Sequence, residues 1–355
     1  MILLIFYVIF IVVNYDFNES FYIWEEEMSI ITVKDLSKTF KKPIRDEGLR
    51  GMIKALFSRK YEEVHAVDGI SFDIAEGEIV GYIGANGAGK STTIKMMCGI
   101  LHPTGGNITV DGLDFTKNRQ QINKRMGVVF GQKTQLWWDI PLVETFKILK
   151  SIYEVPDDEY EERFNYLCDL LDMRPFLTQT VRSLSLGQRM RADFAAALIH
   201  SPKIVYLDEP TIGLDVLVKD RIRGAIKELN KKYNITVILT THDMKDIEEL
   251  CNRIIIIDKG CILYDGSLAN IKYRFGNTKT IYLPRDAEIS EDKIKEEFPT
   301  VEFEYSDEKI AIKFSLNDVD LDNMLLHLIN NYHIKDFKIE DISIEDITKK
   351  LYEKH

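Results

Sequence analysis

The chain has 355 residues, 45% hydrophobic and 29% charged, which places it among globular proteins with room for two domains. A formal net charge of −11 argues against the basic face that a general nucleic-acid binder needs, so nucleic acid is not an expected partner. The four cysteines, Cys98, Cys168, Cys251 and Cys261, form no C-x-x-C pair, which argues against a zinc site and a disulfide framework and fits reduced thiols.

Met1 to Val13 is continuously apolar but shorter than the roughly 17 to 25 residues of a spanning helix. It has neither a basic start nor a small-residue cleavage site. Met28 stands directly before the strand pattern Ser29 to Val33, so residues 1–28 read as an apolar leader, with translation expected to start at Met28. A membrane anchor is the alternative, and the intact mass of the native protein separates the two. Ile30 to Leu36 reads as a strand leading to Phe40. Residues 41–60 read as an insertion in which Lys41, Lys42, Arg45, Arg50, Lys54, Arg59 and Lys60 face only Asp46 and Glu47. Leu49, Met52, Ile53, Leu56 and Phe57 recur there at helical spacing. Such a helix suits a membrane surface or an acidic partner, or packs on its own domain.

Tyr61 to Ile74 reads as a loop and strand, and Ile79 to Ile83 as a buried strand. Gly84-Ala85-Asn86-Gly87-Ala88-Gly89-Lys90-Ser91-Thr92 then follows the phosphate-cradling pattern G-x-x-x-x-G-K-[ST], with a helix from Thr92 to Met97. Its glycines let successive N–H groups face inward, and the helix N-terminus adds positive potential. Lys90 is placed to reach terminal phosphates and Ser91 to hold Mg²⁺. Short strands follow at Ile108 to Val110 and Arg125 to Phe130, with Gln132 just beyond. Residues 133–186 change to a helical character. At Leu184-Ser185-Leu186-Gly187-Gln188 a loop meets a helix that Ser185 caps, an ordinary capped helix or an anion site offering Ser185 Oγ and the Gly187 amide.

Alternation then resumes with Ile204 to Leu207, a helix from Val218 to Asn230, Thr236 to Thr241 and Ile254 to Ile257. That pattern predicts a mostly parallel sheet covered on both faces. Asp208 and Glu209 end a strand where ligands bind in open α/β sheets. Asp208 would sit near the Mg²⁺, and Glu209 could polarise an attacking water. Beyond Ile271 the pattern becomes strand, helix, hairpin, helix, strand (Ile334 to Ile339) and a closing helix. That order suggests a ferredoxin-like domain over residues 272–355 with no catalytic constellation.

The phosphate loop, Gln132, Leu184 to Gln188, Ile204 to Pro210, Gly213-Leu214-Asp215 and His242 fall in the order of an ABC-type ATPase. The chain resembles the ATP-binding subunit of an ABC transporter over about Ile30 to Ile271. The resemblance implies an α/β P-loop cassette over residues 29–271, with an antiparallel β subdomain and a helical insert, followed by the small α+β domain. It implies Mg-dependent ATP hydrolysis. Gly84, Asn86, Gly87, Ala88, Gly89, Lys90, Ser91 and Thr92 would hold the phosphates. Ser91, Gln132 and Asp208 would hold Mg²⁺, with Gln132 also touching the attacking water. Glu209 would be the catalytic carboxylate and His242 the switch histidine on the γ-phosphate. Two subunits, expected as a homodimer, would sandwich two ATPs. Ser185, Gly187 and Gln188 would act on the partner's nucleotide, and Asp215 would link the two sites. Tyr61 is the expected adenine-stacking aromatic, with Phe40 as the alternative.

A polytopic membrane permease would be the other partner, at the cytoplasmic face of the cell membrane. The neighbourhood of Trp137 and Trp138 would meet its coupling helix, unless the two rings pack inside the helical insert. The C-terminal region resembles the extensions of exporter-type subunits, which points to export. The rival is a non-transport ABC ATPase acting on ribosomes or nucleic acid. Two departures stand out: Ala85 where Pro is frequent, and Leu186 where Gly is commonest.

Overall fold

The computed structural model describes residues 29–43, 61–131, 133–275 and 277–353. The leader, residues 44–60 of the basic insertion and Gln132 lie outside the described residues. The chain begins β1 (Ser29–Pro43), β2 (Tyr61–Ala75), β3 (Ile79–Gly84), α1 (Lys90–Met97), β4 (Gly105–Val110), β5 (Leu113–Asp114), α2 (Arg119–Asn123) and β6 (Met126–Phe130). It continues with α3 (Leu142–Tyr153), α4 (Asp157–Leu170), α5 (Leu186–Leu198), β7 (Ile204–Asp208), α6 (Val216–Tyr233), β8 (Thr236–Thr240), α7 (Met244–Leu250), β9 (Arg253–Asp258), β10 (Cys261–Ser267) and α8 (Leu268–Phe275). The last part is β11 (Thr278–Pro284), α9 (Glu291–Glu297), β12 (Glu302–Tyr305), β13 (Lys309–Ser315), α10 (Leu321–Tyr332), β14 (Lys338–Asp341) and α11 (Ile344–Glu353).

A six-stranded sheet in the order β10-β9-β3-β8-β7-β6 forms the centre. Its pairs are parallel except the β9–β10 hairpin. All five residues of β8 are buried, as are the first four of β7. Continuous apolar runs such as Ile204 to Leu207 are what a sheet covered on both faces requires. One face carries a core shared with α1 and the four-stranded antiparallel sheet β2-β1-β4-β5. The other face packs on α3 to α7. Both predicted subdomains are therefore present. The parallel arrangement brings the carboxyl ends of β3, β6, β7 and β8 to one edge, where the predicted motifs converge.

The third sheet is antiparallel, in the order β12-β13-β11-β14. Its elements run β-α-β-β-α-β, as the sequence suggests. Two details differ from expectation. The last strand lies at Lys338–Asp341 rather than Ile334 to Ile339. His333 takes a left-handed conformation (φ 54°) at the end of α10, and Ile334 turns inward to be buried instead of starting a strand. The junction at residue 272 falls inside α8, which runs on to Phe275.

The hairpin β1–β2 also extends further than expected. Lys41 and Lys42 pair with Glu63 and Glu62 as strand neighbours, so the insertion does not begin as a helix. Opposite charges on facing strands favour that pairing.

Candidate nucleotide-binding and catalytic site

The phosphate loop leaves the end of β3 and enters α1. Gly87 (φ 83°) and Gly89 (φ 108°) take left-handed conformations that side chains disfavour. A Cβ on Gly89 would also lie 2.4 Å from the Ala66 carbonyl oxygen, so β2 closes tightly against the loop. Lys90 Nζ donates to the carbonyls of Gly84 (2.6 Å) and Ala85 (3.1 Å). Burial holds its ammonium below the usual lysine range, with the charges of Glu209 and Asp208 acting the other way. Asn86 and Gly87 are exposed at the loop's tip, and Ala88 is buried beneath it. Ser91 and Thr92 stand in the first turn of α1.

Asp208 ends β7 and is tied to two neighbours. Ser91 Oγ donates to its Oδ1 at 3.4 Å and Thr240 Oγ1 at 2.5 Å. A hydroxyl and a carboxylate this close are hard oxygen donors of the kind Mg²⁺ uses beside substrate phosphates. Among the described residues no group of three or more His, Cys, Asp or Glu could hold a metal. A site completed by phosphate oxygens does not need one.

Glu209 has φ 54°, a left-handed conformation for a non-glycine residue. Its N–H donates to the Thr240 carbonyl at 2.9 Å. His242 Nε2 lies 3.1 Å from Glu209 Oε1, so two residues 33 positions apart meet in one contact. A Cβ on Gly131 would collide with the Glu209 carbonyl at 2.1 Å, and Gly131 N–H donates to the Asp208 carbonyl at 2.8 Å. Gly131 therefore lies close against the backbone of Asp208 and Glu209 at the end of β7. Gln132 itself lies outside the described residues.

Ser185 caps α5 as predicted: the Gln188 N–H donates to Ser185 Oγ at 3.2 Å, and the Ser185 N–H donates to Gln188 Oε1 at 2.9 Å. A Cβ on Gly187 would stand 3.0 Å from Val218 of α6. Asp215 caps α6 through the Val218 N–H at 3.0 Å. Within one subunit these residues do structural work. Tyr61 and Phe40 are both exposed. Phe40 lies opposite Val64 and Tyr61 opposite Pro43, so Tyr61 is three residues further out along the hairpin from Ala66. Trp137 and Trp138 are 40% and 49% exposed, with the Arg189 guanidinium 4.7 Å from the Trp138 ring centre. Leu136, not either Trp, fills the insert's core.

Sequence reasoning missed a buried network behind the site. Asp246, fully buried in α7, accepts from Thr211 Oγ1 (2.5 Å), Thr241 Oγ1 (3.1 Å) and Arg223 Nη1 (2.6 Å). Thr211 is two residues beyond Glu209 and Thr241 is next to His242, so one carboxylate ties down the segments that carry both. Asp193 of α5 does the same for the segment after Gln132, accepting from Thr134 Oγ1 (2.9 Å) and the Gln135 N–H (3.0 Å). Burial pushes its carboxyl up to about 6, against those hydrogen bonds.

A phosphate loop, a strand-end Asp-Glu pair and a histidine on the glutamate define a P-loop ATPase of the ABC class. A profile of the ABC transporter family matches residues 67–212. The chain is 35% identical over 215 residues to the ABC transporter ATP-binding protein NatA of Bacillus subtilis, 61% of this chain and 87% of the relative. The chain belongs to this family of ABC transporter ATP-binding proteins, whose activity is ATP hydrolysis. It is also 31% identical over 223 residues to the methionine import ATP-binding protein MetN 2 of Bacillus cereus, covering 62% of this chain and 66% of that one. A solved dimeric cassette, MJ0796 in a post-hydrolysis state with ADP and Pi, matches at TM-score 0.56 and 25% identity, over 67% of this chain and 98% of that chain. Among the described residues no helix is long and apolar enough to cross a membrane.

Proposed function

We propose that this chain is the Mg-dependent ATP-hydrolysing subunit of a transporter, dimerising on ATP and driving a separate polytopic membrane subunit from the cytoplasmic face of the membrane. The observation that carries the reading is the 3.1 Å contact of His242 with Glu209, beside Asp208 and the phosphate loop. Mg²⁺, held by Ser91 and Asp208 and expected also at Gln132, would neutralise charge on the phosphates. Lys90 swings from the Gly84 and Ala85 carbonyls to the terminal phosphates. Glu209 accepts a proton from the attacking water, and His242 orients that carboxylate and donates to the γ-phosphate. Hydrolysis then rests on positioning and charge stabilisation.

The strand register favours Phe40 over Tyr61 as the ring beneath adenine, because Phe40 lies nearer the loop. Ser185, Gly187 and Gln188 act on the nucleotide of the second subunit, with the exposed Leu186 at that contact. The half-exposed Trp137 and Trp138 suit the membrane subunit's coupling helix. The export direction expected from the C-terminal region is not carried forward. The methionine import ATP-binding protein of Bacillus cereus is among the relatives, and nothing in the relatives named above supports export. A ribosomal or nucleic-acid role gains nothing from these relatives.

Glu209→Gln tests the reading. ATP should still bind, hydrolysis should fall by at least about a hundredfold, as when a general base is removed, and the ATP-bound dimer should accumulate on size exclusion. Undiminished hydrolysis would take Glu209 out of the catalytic role. Co-purification from detergent-solubilised membranes should recover a polytopic protein.

A further inference from the structure

The cavity beside the catalytic carboxylates also has cations in its wall. About 340 Å³ in volume, it is lined by Ser91, Asp208 and Glu209 and also by Lys95, Ile100 and Lys133. The last three are exposed, Ile100 at 58%, so the cavity opens to solvent on their side. Lys95 stands four residues after Ser91 in α1, so the two share a face one helical turn apart. Helical side chains lean toward the N-terminus, which brings Lys95 back over Ser91, whose Oγ donates to Asp208 Oδ1 at 3.4 Å. Lys133 is held through its backbone. Its N–H donates to the Phe130 carbonyl at 3.0 Å. The next residue, Thr134, donates from Oγ1 to the buried Asp193 at 2.9 Å. Two residues before it, the Gly131 N–H donates to the Asp208 carbonyl at 2.8 Å. Among the described residues neither lysine forms an ion pair, so both charges are available to an anion that enters the cavity.

The reaction supplies such an anion. The water beside Glu209 forms the new bond to the γ-phosphorus. The bridging oxygen leaves with ADP and takes the electron pair, and Glu209 accepts the proton of the water. Attacking and leaving oxygens stand roughly in line, so the freed phosphate moves away from ADP, toward Glu209 and into this cavity. There it meets two like charges, Asp208 and Glu209. Cations on the solvent side offset them and draw the phosphate outward.

We propose that Lys95 and Lys133 form a product site for inorganic phosphate, on the path by which it leaves between α1 and the segment after β6. The inference rests on the reading that ATP is hydrolysed beside Asp208 and Glu209.

The test is steady-state ATP hydrolysis by the full chain at increasing inorganic phosphate, with ionic strength held constant by chloride. Wild type is compared with Lys95→Gln, Lys133→Gln, the double variant, Lys95→Arg and Lys133→Arg. The readout is the inhibition constant for phosphate divided by KM for ATP, a ratio that a general loss of fold or of ATP binding does not raise. Each glutamine substitution should raise it about two- to fivefold, the range of an exposed ion pair. The double variant should multiply the two effects, and arginine should keep the wild-type ratio. An unchanged ratio in the double variant would overturn the proposal, as would a wild type that phosphate does not inhibit. Loss of a membrane partner on co-purification, with the ratio unchanged, would also overturn it and make the lysines docking residues. Glu209→Gln keeps the two readings apart. If it hydrolyses ATP as wild type does, the catalytic reading fails. If it loses hydrolysis while the double lysine variant keeps the wild-type ratio, only the present inference fails.

Discussion

The central and C-terminal sheets place their polar groups in opposite ways. In the central sheet β7 and β8 are buried almost end to end, so polar side chains can stand only where strands stop. Asp208 and Thr240 occupy those ends, and Gly84 closes β3 beside them. Burial on both faces thus concentrates the chemistry at one edge. The C-terminal sheet packs one face on α9 and α10. Its strands β12 and β14 have no buried residue. Its charges spread along the strands and satisfy one another, as where Lys313 of β13 meets Glu304 of β12 at 2.7 Å. Polar groups paired in this way support a surface, not a reaction. The helix α11 joins the two regions: Ile344 and Ile347 lie in the cassette's core, while Asp346 meets Lys313 of the C-terminal sheet.

The sharpest way to break the comparison is to remove Asp246, the carboxylate fully buried behind Glu209 and His242. Asp246→Ala leaves Arg223, itself 2% exposed, without its buried partner. Breaking such a pair costs about 3 to 5 kcal/mol, somewhat less here because Asp220 and Glu249 remain near the guanidinium. Thermal melting should show the loss. Hydrolysis at saturating ATP should fall as well, because Thr211 and Thr241 are freed beside Glu209 and His242. A folded variant with normal turnover would reduce Asp246 to a packing role.

The next largest effect tests where α11 belongs. Ile347→Ala removes a fully buried side chain from the cassette's core, at about 2 to 4 kcal/mol for such a truncation. By calorimetry the transition that ATP raises should be the one this substitution lowers. A shift confined to a transition indifferent to ATP would return the helix to the C-terminal domain.

The parts legible in the sequence are those in which neighbouring residues carry the signal. The phosphate loop states its turn, its helix and its lysine within nine residues. Ser185 and Gln188 state a helix start three positions apart. The apolar runs of β3, β7 and β8 need no partner to be recognised. Asp246 was not legible, because in Met244-Lys245-Asp246-Ile247-Glu248-Glu249 it reads as one more solvated acid. Its burial comes from Thr211, Arg223 and Thr241, residues that the fold alone brings together. The misplaced strand at Ile334 shows the converse, a run read as β that the left-handed turn at His333 redirects into the core.

The smallest effect separates structure from chemistry at Ser185. Within one subunit its hydroxyl is a helix cap, and removing a cap costs about 1 kcal/mol, or roughly 2 to 4 °C in a unit of the cassette's size. Ser185→Ala should show that modest loss. Ser185→Asn offers another good capping side chain and should recover the melting temperature. If the hydroxyl acts only within its own subunit, hydrolysis should recover with it. The expected outcome is the split: Ser185→Asn melts like wild type yet hydrolyses ATP poorly, because a longer amide stands where the partner's nucleotide must approach the α5 N-terminus. Full recovery of both would mean that Ser185 holds α5 and does nothing more. The edge of the central sheet would then carry its chemistry without help from across the dimer.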